Sequence, residues 1–179
     1  MTWDEYYLKI CQAVSENSKC FSRKIGAILV NDKSIISTGY NSAPRGVPPC
    51  NERAIKNGRI NDINLYQELS KKNINYRDAP PNKCPRQIMG FKSGEGLEWC
   101  VAGHAERNAL INAARYGIPT KGTKMYMNCY IPCSPCLIEI INAGVEEIIC
   151  TDHNKGYYDV SAEYLIKTSG LKWRLYESI

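Results

Sequence analysis

Two short stretches of this chain combine residue types that do metal and proton chemistry. In GHAERNALINAAR, Gly103–Arg115, a histidine stands two residues before a glutamate, where a buried helix is predicted to begin. His104 is one of only two histidines in the sequence. Further along, YIPCSPC, Tyr130–Cys136, holds Cys133 and Cys136 with two residues between them, just after a predicted strand and in the first turn of the next predicted helix. A helix N-terminus favours thiolate over thiol, because its free N–H groups and dipole face the sulfur. Taken alone, C-x-x-C is either a dithiol redox pair, which also sits at a strand-to-helix junction, or half of a zinc site.

His104 favours zinc. Two helices that begin at the same edge of one sheet bring their first turns together, and the carboxyl ends of strands are the usual ligand site in open α/β sheets. His104, Cys133 and Cys136 then supply three ligands to one zinc and leave a fourth position for water, which is the catalytic arrangement. Zinc lowers the pKa of such a water toward neutrality. Glu106, two residues along the helix, points away from the ligand direction. It is placed to take the water's proton and deliver it to a ring nitrogen and a leaving group. H-x-E followed by P-C-x-x-C, here His104-Ala105-Glu106 and Pro132-Cys133-Ser134-Pro135-Cys136, is the signature of zinc-dependent nucleobase deaminases. A redox reading leaves His104 and Glu106 without a role. A noncatalytic zinc scaffold has no use for an acid beside an open ligand position.

The elements that must position these residues are readable around them. Trp3, Tyr6, Tyr7, Ile10, Ala13 and Val14 recur at helical spacing, and KIGAILV and SIISTGY form a hairpin joined by NDK. From Ala105 onward, predicted helices ending at Gly117, Gly144 and Gly170 alternate with the strands TKMYMNCY, VEEIICT and LKWRLYE. That alternation implies βαβ crossovers and a parallel portion of sheet, to which the hairpin adds antiparallel strands. The expected architecture is α/β, a three-layer α/β/α fold with a mixed sheet of about five strands. A single domain is expected over residues 1–179. It carries an irregular insertion from about residue 50 to about residue 100, with some helix near NDINLYQELSKK, and a segment of that kind is functional or tied down by something.

Composition narrows the partners. A net charge of +5 suits an anionic substrate such as a nucleotide, but it is too small and too dispersed to argue for nucleic-acid binding, and simple solubility explains it as well. No apolar run is long enough to span a bilayer, and MTWDEYYLKICQAV does not read as a signal peptide, so a cytoplasmic protein without membrane partners is expected. The nine cysteines are odd in number, which rules out full pairing and points to metal or catalysis before disulfides. Cys11, Cys129 and Cys150 fall on a helix face and in strands and read as core. Cys20, Cys50, Cys84 and Cys100 flank the irregular middle, which a structural zinc would tie down; four separate buried thiols are the alternative.

Beyond these motifs, SRKIGAILV, IISTGYNSAPRG, HAERNALINAAR, MYMNCYIPCSPC, AGVEEIIC and the C-terminal helix and strand resemble, in order, the cytidine/deoxycytidylate deaminase family. The pattern G-Y-N-x-x-P-x-G, Gly39–Gly46, favours its deoxycytidylate branch over the cytidine and tRNA-adenosine branches. The resemblance implies hydrolysis of dCMP to dUMP and ammonia, supplying dUMP for thymidylate synthesis. Zinc would sit on His104, Cys133 and Cys136, and Glu106 would carry protons. It further implies that Asn41 bonds the sugar, that the backbone around Ala105 holds the pyrimidine, and that Tyr157, beside Tyr158, lies near the substrate; Arg23 and Arg45, the basic residues nearest these loops in the sequence, are the candidates for the phosphate, with solvated surface charge as the alternative. His153 reads as a surface residue.

In phage members of the family, cysteines matching Cys20 and Cys50 join two later ligands at a second zinc. Here Cys84 and Cys100 complete an all-cysteine set in place of the histidine-containing versions. The resemblance also implies a hexamer activated by dCTP and inhibited by dTTP, with Mg²⁺ accompanying the triphosphate and with Gly39, Arg45 and Gly46 cradling phosphates. Ser42 stands where a glycine is often found in that loop. The competing substrates are dCTP, a 5-modified dCMP and an adenosine in tRNA; the last would bring more clustered basic residues.

Overall fold

The computed structural model describes residues 1–53, 55–56, 59–60, 62–75, 83–92, 94–151 and 160–176. In chain order the elements are α1 (Trp3–Ser15), β1 (Gly26–Asn31), β2 (Ser34–Tyr40), α2 (Cys50–Arg53), β3 (Ile55–Lys56), β4 (Arg59–Ile60), α3 (Ile63–Lys71) and α4 (Pro85–Ile88). They continue with α5 (Ala105–Arg115), β5 (Lys124–Met127), α6 (Ser134–Asn142), β6 (Glu147–Cys150), α7 (Val160–Ser169) and β7 (Lys172–Leu175). Two compact units result. The first comprises Met1–Ser18, Ile25–Asn41 and His104–Ile179, and the second comprises Lys19–Lys24 and Ser42–Gly103.

The first unit is built on a five-stranded sheet in the order β2-β1-β5-β6-β7. β1 pairs antiparallel with β2 and β5, whereas β5, β6 and β7 run parallel. The β1–β2 hairpin turns through Asp32 and Lys33, both at positive φ (43° and 61°), the handedness that matches the twist of the flanking strands. Alternate strand residues point to opposite faces, and here both faces are apolar. Ala27, Leu29, Met125, Met127, Ile148 and Cys150 pack with Ala105, Ala109 and Ala113 of α5, Leu137 and Ile140 of α6, and Ala162 of α7. Ile28, Val30, Tyr126 and Ile149 pack on Tyr7, Leu8 and Cys11 of α1. The three layers are therefore α1, the mixed sheet, and α5 with α6 and α7. Cys11, Cys129 and Cys150 are buried in this core, and the Cys11 thiol donates to the Tyr126 carbonyl at 3.2 Å.

Close helix-to-strand contact sets the position of α5. A Cβ on Gly39 of β2 would stand 2.2 Å from the Ala109 nitrogen and 2.4 Å from the Ala105 carbonyl oxygen. Only the absence of that atom, with alanines opposite, lets the helix backbone lie so near the strand. β2 is an edge strand, and its outward carbonyls are taken by the helix. Asn108 Nδ2 donates to Tyr40 O and Asn112 Nδ2 to Thr38 O, each at 2.8 Å, while Ser37 Oγ donates to Ala109 O at 2.7 Å. The sliding and rotation of α5 on the sheet are thereby fixed.

The second unit has a small core of its own, within the segment expected to be irregular but for some helix near NDINLYQELSKK, and that helix is α3. Leu65 and Leu69 of α3 pack with Met89, bordered by Ile74, Ile88, Phe91 and Trp99. α3 is nine residues long and contributes one i, i+4 leucine pair to that core. Asp62 caps α3 by accepting from the Asn64 and Leu65 N–H groups, and Arg53 bonds both Asp62 and the Trp99 carbonyl. Ser42 and Gly103 exchange two backbone hydrogen bonds, of 3.1 and 2.8 Å, so the ends of the long excursion are pinned together. Among the described residues no helix is long and apolar enough to cross a membrane.

A charged network ties α1 to the far edge of the sheet. Arg174 on β7 bonds Asp4 (2.8 and 3.0 Å) and Glu147 (2.9 Å), Lys124 pairs with Glu147 at 2.7 Å, and the Tyr126 hydroxyl donates to Asp4 at 2.8 Å. The Arg174 guanidinium depresses the Asp4 pKa against partial burial. Burial works to raise Glu147, but the hydrogen bonds from Lys124 and Arg174 outweigh it and its pKa is also lowered. Carboxylates with lowered folded pKa values stabilise fully above the ordinary carboxylate range, and the contribution is lost as pH falls through the folded values. Since Arg174 is partly exposed and screened, Arg174→Met should cost about 1 kcal/mol at pH 7, and in urea titrations the gap from the parent should close as pH falls below the ordinary carboxylate range, about 4. Gly39→Ala should cost about 1–3 kcal/mol by overpacking, read from the same titrations.

Candidate metal centre and active site

The donor residues occupy the points where two helices begin. α5 leads into β5 and α6 leads out of it, each through a short connection, so both helix N-termini lie at the carboxyl edge of that strand. His104 is the N-cap of α5, with extended backbone (φ −72°, ψ 156°), and its carbonyl accepts from the Asn108 N–H at 3.0 Å. Cys133 is the N-cap of α6 (φ −67°, ψ 160°), and its carbonyl accepts from Leu137 at 2.9 Å. N-cap side chains ordinarily bond back to the helix. Neither of these does, so the imidazole and the thiol are left to face each other.

They do so at metal-ligand spacing. His104 Nδ1 lies 3.3 Å from Cys136 Sγ and 3.5 Å from Cys133 Sγ, and the three donor atoms are all within 4.8 Å of one another. Tetrahedral zinc with ordinary Zn–N and Zn–S bonds holds nitrogen and sulfur about 3.6 Å apart, so the donor set and its spacing fit that ion. Among the described residues this is the one group of three or more metal-type donors so arranged. His104 is its exposed member, Cys133 is half-buried and Cys136 is fully buried. The neighbouring Cys136 thiol and then His104 draw the Cys133 thiol down to about 4 despite its burial, and the same contact pushes the Cys136 thiol up. The hydrogen bond to Cys133 in turn raises the His104 pKa.

Glu106 lies beside the trio and outside it. It shares the buried stripe of α5 with Ala105, Ala109 and Ala113 and is 5% exposed. Burial raises its carboxyl pKa, partly offset by the nearby His104 and by a hydrogen bond with Cys136. The next residue, Arg107, faces outward and grips Glu139 of α6 in a two-point fork, Nε to Oε2 at 2.8 Å and Nη2 to Oε1 at 2.5 Å. Nothing in the sequence announces this pair. Its members stand thirty-two positions apart, and no local pattern joins them.

The other residues singled out in the sequence divide between the units. Asn41, buried in the first unit, accepts the Ile25 N–H through Oδ1 at 2.8 Å, and its carbonyl accepts from Ser18 Oγ at 2.7 Å. Ala105 is fully buried at the first turn of α5. Gly39 has a packing role under that helix. Arg23, Arg45 and Gly46 belong to the second unit, where Gly46 turns at φ +81° with open space around it. Cys20, Cys50, Cys84 and Cys100 all lie in that unit too, with Cys50 and Cys84 buried. Burial, then the fields of Cys20, Cys84 and Cys100, push the Cys50 thiol up to about 11, so the four sulfurs are electrostatic neighbours. Tyr157, Tyr158 and His153 lie outside the described residues.

The sequence model of the cytidine and deoxycytidylate deaminase zinc-binding region matches residues 1–152. The deoxycytidylate deaminase of Mycobacterium phage D29 is 30% identical over 82% of this chain and 92% of its own length. That of Schizosaccharomyces pombe is 27% identical over 98% of this chain, which spans only 44% of the yeast protein. The crystal structure of dCMP deaminase from cyanophage S-TIM5 in complex with dCMP and dUMP shares the fold, with a TM-score of 0.60 and 22% identity over 96% of this chain and 95% of that one.

Proposed function

The chain belongs to the cytidine and deoxycytidylate deaminase family, and on that premise we propose that it hydrolyses dCMP to dUMP and ammonia, supplying dUMP for thymidylate synthesis in the cytoplasm. The observation that carries this reading is the trio of His104, Cys133 and Cys136 at zinc-ligand spacing with the buried Glu106 carboxyl beside it. The names of the relatives support the substrate.

A zinc ion on His104 Nδ1 and the two sulfurs, with its fourth position open, would act as the Lewis acid that ionises water near neutral pH. Glu106 takes the first proton of the attacking water and delivers it to the ring nitrogen next to the amino-bearing carbon, then carries the second, from the hydroxyl formed on that carbon, to the amino group, which leaves as ammonia as the new carbonyl forms. The buried first turn of α5 shields that carboxyl from bulk water. By resemblance to the family, the backbone at Ala105 holds the pyrimidine and Asn41 meets the sugar, with the Ile25 N–H orienting its amide. Arg23 is the proposed phosphate partner, and Tyr157 the aromatic neighbour.

The four cysteines of the second unit support a second, structural zinc. Their sulfurs are not drawn together as the first trio is, so Cys20, Cys50, Cys84 and Cys100 must close around the ion as it binds. Control by dCTP and dTTP with Mg²⁺, within a hexamer, rests on the likeness of GYNSAPRG to the family's effector segment. Arg45 and Gly46 remain its candidates, alongside Gly39 with its packing role. A dCMP rate curve unmoved by either triphosphate rejects that control.

The test is loss of cytosine absorbance with dCMP, set beside CMP, deoxycytidine, dCTP and 5-modified dCMP. dCMP should be the preferred substrate. Glu106→Gln should lower kcat about 10²–10⁴-fold with zinc content unchanged. A fully active variant, or preference for another substrate, removes the assignment. Metal analysis should find two zinc ions per chain, falling to one in Cys84→Ser; one zinc in the parent protein eliminates the structural site.

A further inference from the structure

The two helices that supply the ligands are joined on their solvent side by the Arg107–Glu139 fork. Arg107 follows Glu106 directly and stands three residues after His104, and Glu139 stands three residues after Cys136. Each is thus about one helical turn from a metal donor. Beneath, α5 and α6 share the sheet core through Ala105, Ala109, Leu137 and Ile140. Apolar packing is non-directional and does not by itself hold two helix ends at a fixed separation. A guanidinium–carboxylate fork has a set geometry. The guanidinium also lies within the field of Cys133 and Cys136, so the fork is close to the ligands whose spacing it would govern.

We propose that Arg107 and Glu139 are positioning residues, a clamp from the first turn of α5 to the second turn of α6 that holds His104 at binding distance from the two cysteines and so slows loss of the metal. The inference rests on the zinc reading of the trio. Both side chains are substantially exposed, at 44% and 38%, and an exposed pair adds little to folding stability. The clamp should therefore be read in metal retention, and hardly in unfolding.

The experiment compares zinc-loaded parent protein with Arg107→Met, Glu139→Gln and the charge-swapped pair Arg107→Glu/Glu139→Arg. The rate of zinc transfer to a coloured chelator is followed at low salt and at high salt, and the metal-stripped proteins are melted. Each single variant should release zinc about 10-fold faster, in the range found when outer partners of metal ligands are removed. The metal-free melting points should stay together, and the swap should restore slow release. Release within twofold of the parent, faster release matched by a fall in metal-free stability, or a swap that does not restore retention overturns the clamp. A parent protein that binds no zinc overturns the metal reading and the clamp with it, and metal analysis distinguishes that failure from the others.

Discussion

Donor atoms carried at helix N-termini can meet only if the helices are held against rotation as well as translation. One residue of slip in α5 turns its side chains by about 100° and would carry the His104 ring off the cysteines. Much of the first unit answers that requirement. Gly39 admits the α5 backbone, the alanine stripe keeps it low over the sheet, and Asn108 and Asn112 lock it to the carbonyls of the edge strand. α6 is held more simply, since it leaves β5 directly and packs Leu137 and Ile140 into the same core.

The same stripe contains a residue that folding alone would not choose. Glu106 occupies a core-facing position where an apolar residue would be favoured, and desolvation of its carboxyl is unfavourable to the fold. Conflicts of this kind between local stability and residue type mark functional sites. The conflict is contained because the carboxyl has His104 and Cys136 as neighbours, so its burial is shared with the groups it would serve.

What was readable from the sequence was what is local. His104, Glu106, Cys133 and Cys136 announce themselves by spacing, and the strand and helix periods around them fix which edge of the sheet they share. Cys11, Cys129 and Cys150 could be set aside as core from their place in those periods, and they are core. Contacts between distant segments were not readable. Arg107 and Glu139 each look like ordinary surface charges until the fold brings them together. Gly39 looks like part of a phosphate-binding loop, and only the helix lying on it shows that packing also requires a glycine there. The second unit was hidden for another reason. Its core depends on a few residues, Leu65, Leu69 and Met89, spread over short helices that give no sustained period.

The longer segment of that second unit, Ser42–Gly103, lies in the chain between Asn41 and His104, two residues proposed to serve the site. An excursion at such a place is tolerable only if its ends are pinned and its interior makes its own contacts. The Ser42–Gly103 pairing does the first, and the cluster around Leu65 and Leu69 does the second. Closing a longer loop adds little entropy cost, about 0.6 kcal/mol per doubling, so the ends matter far more than the length between them. The pinned pair ends one residue before His104 in the chain, and the trio takes none of its donors from the excursion.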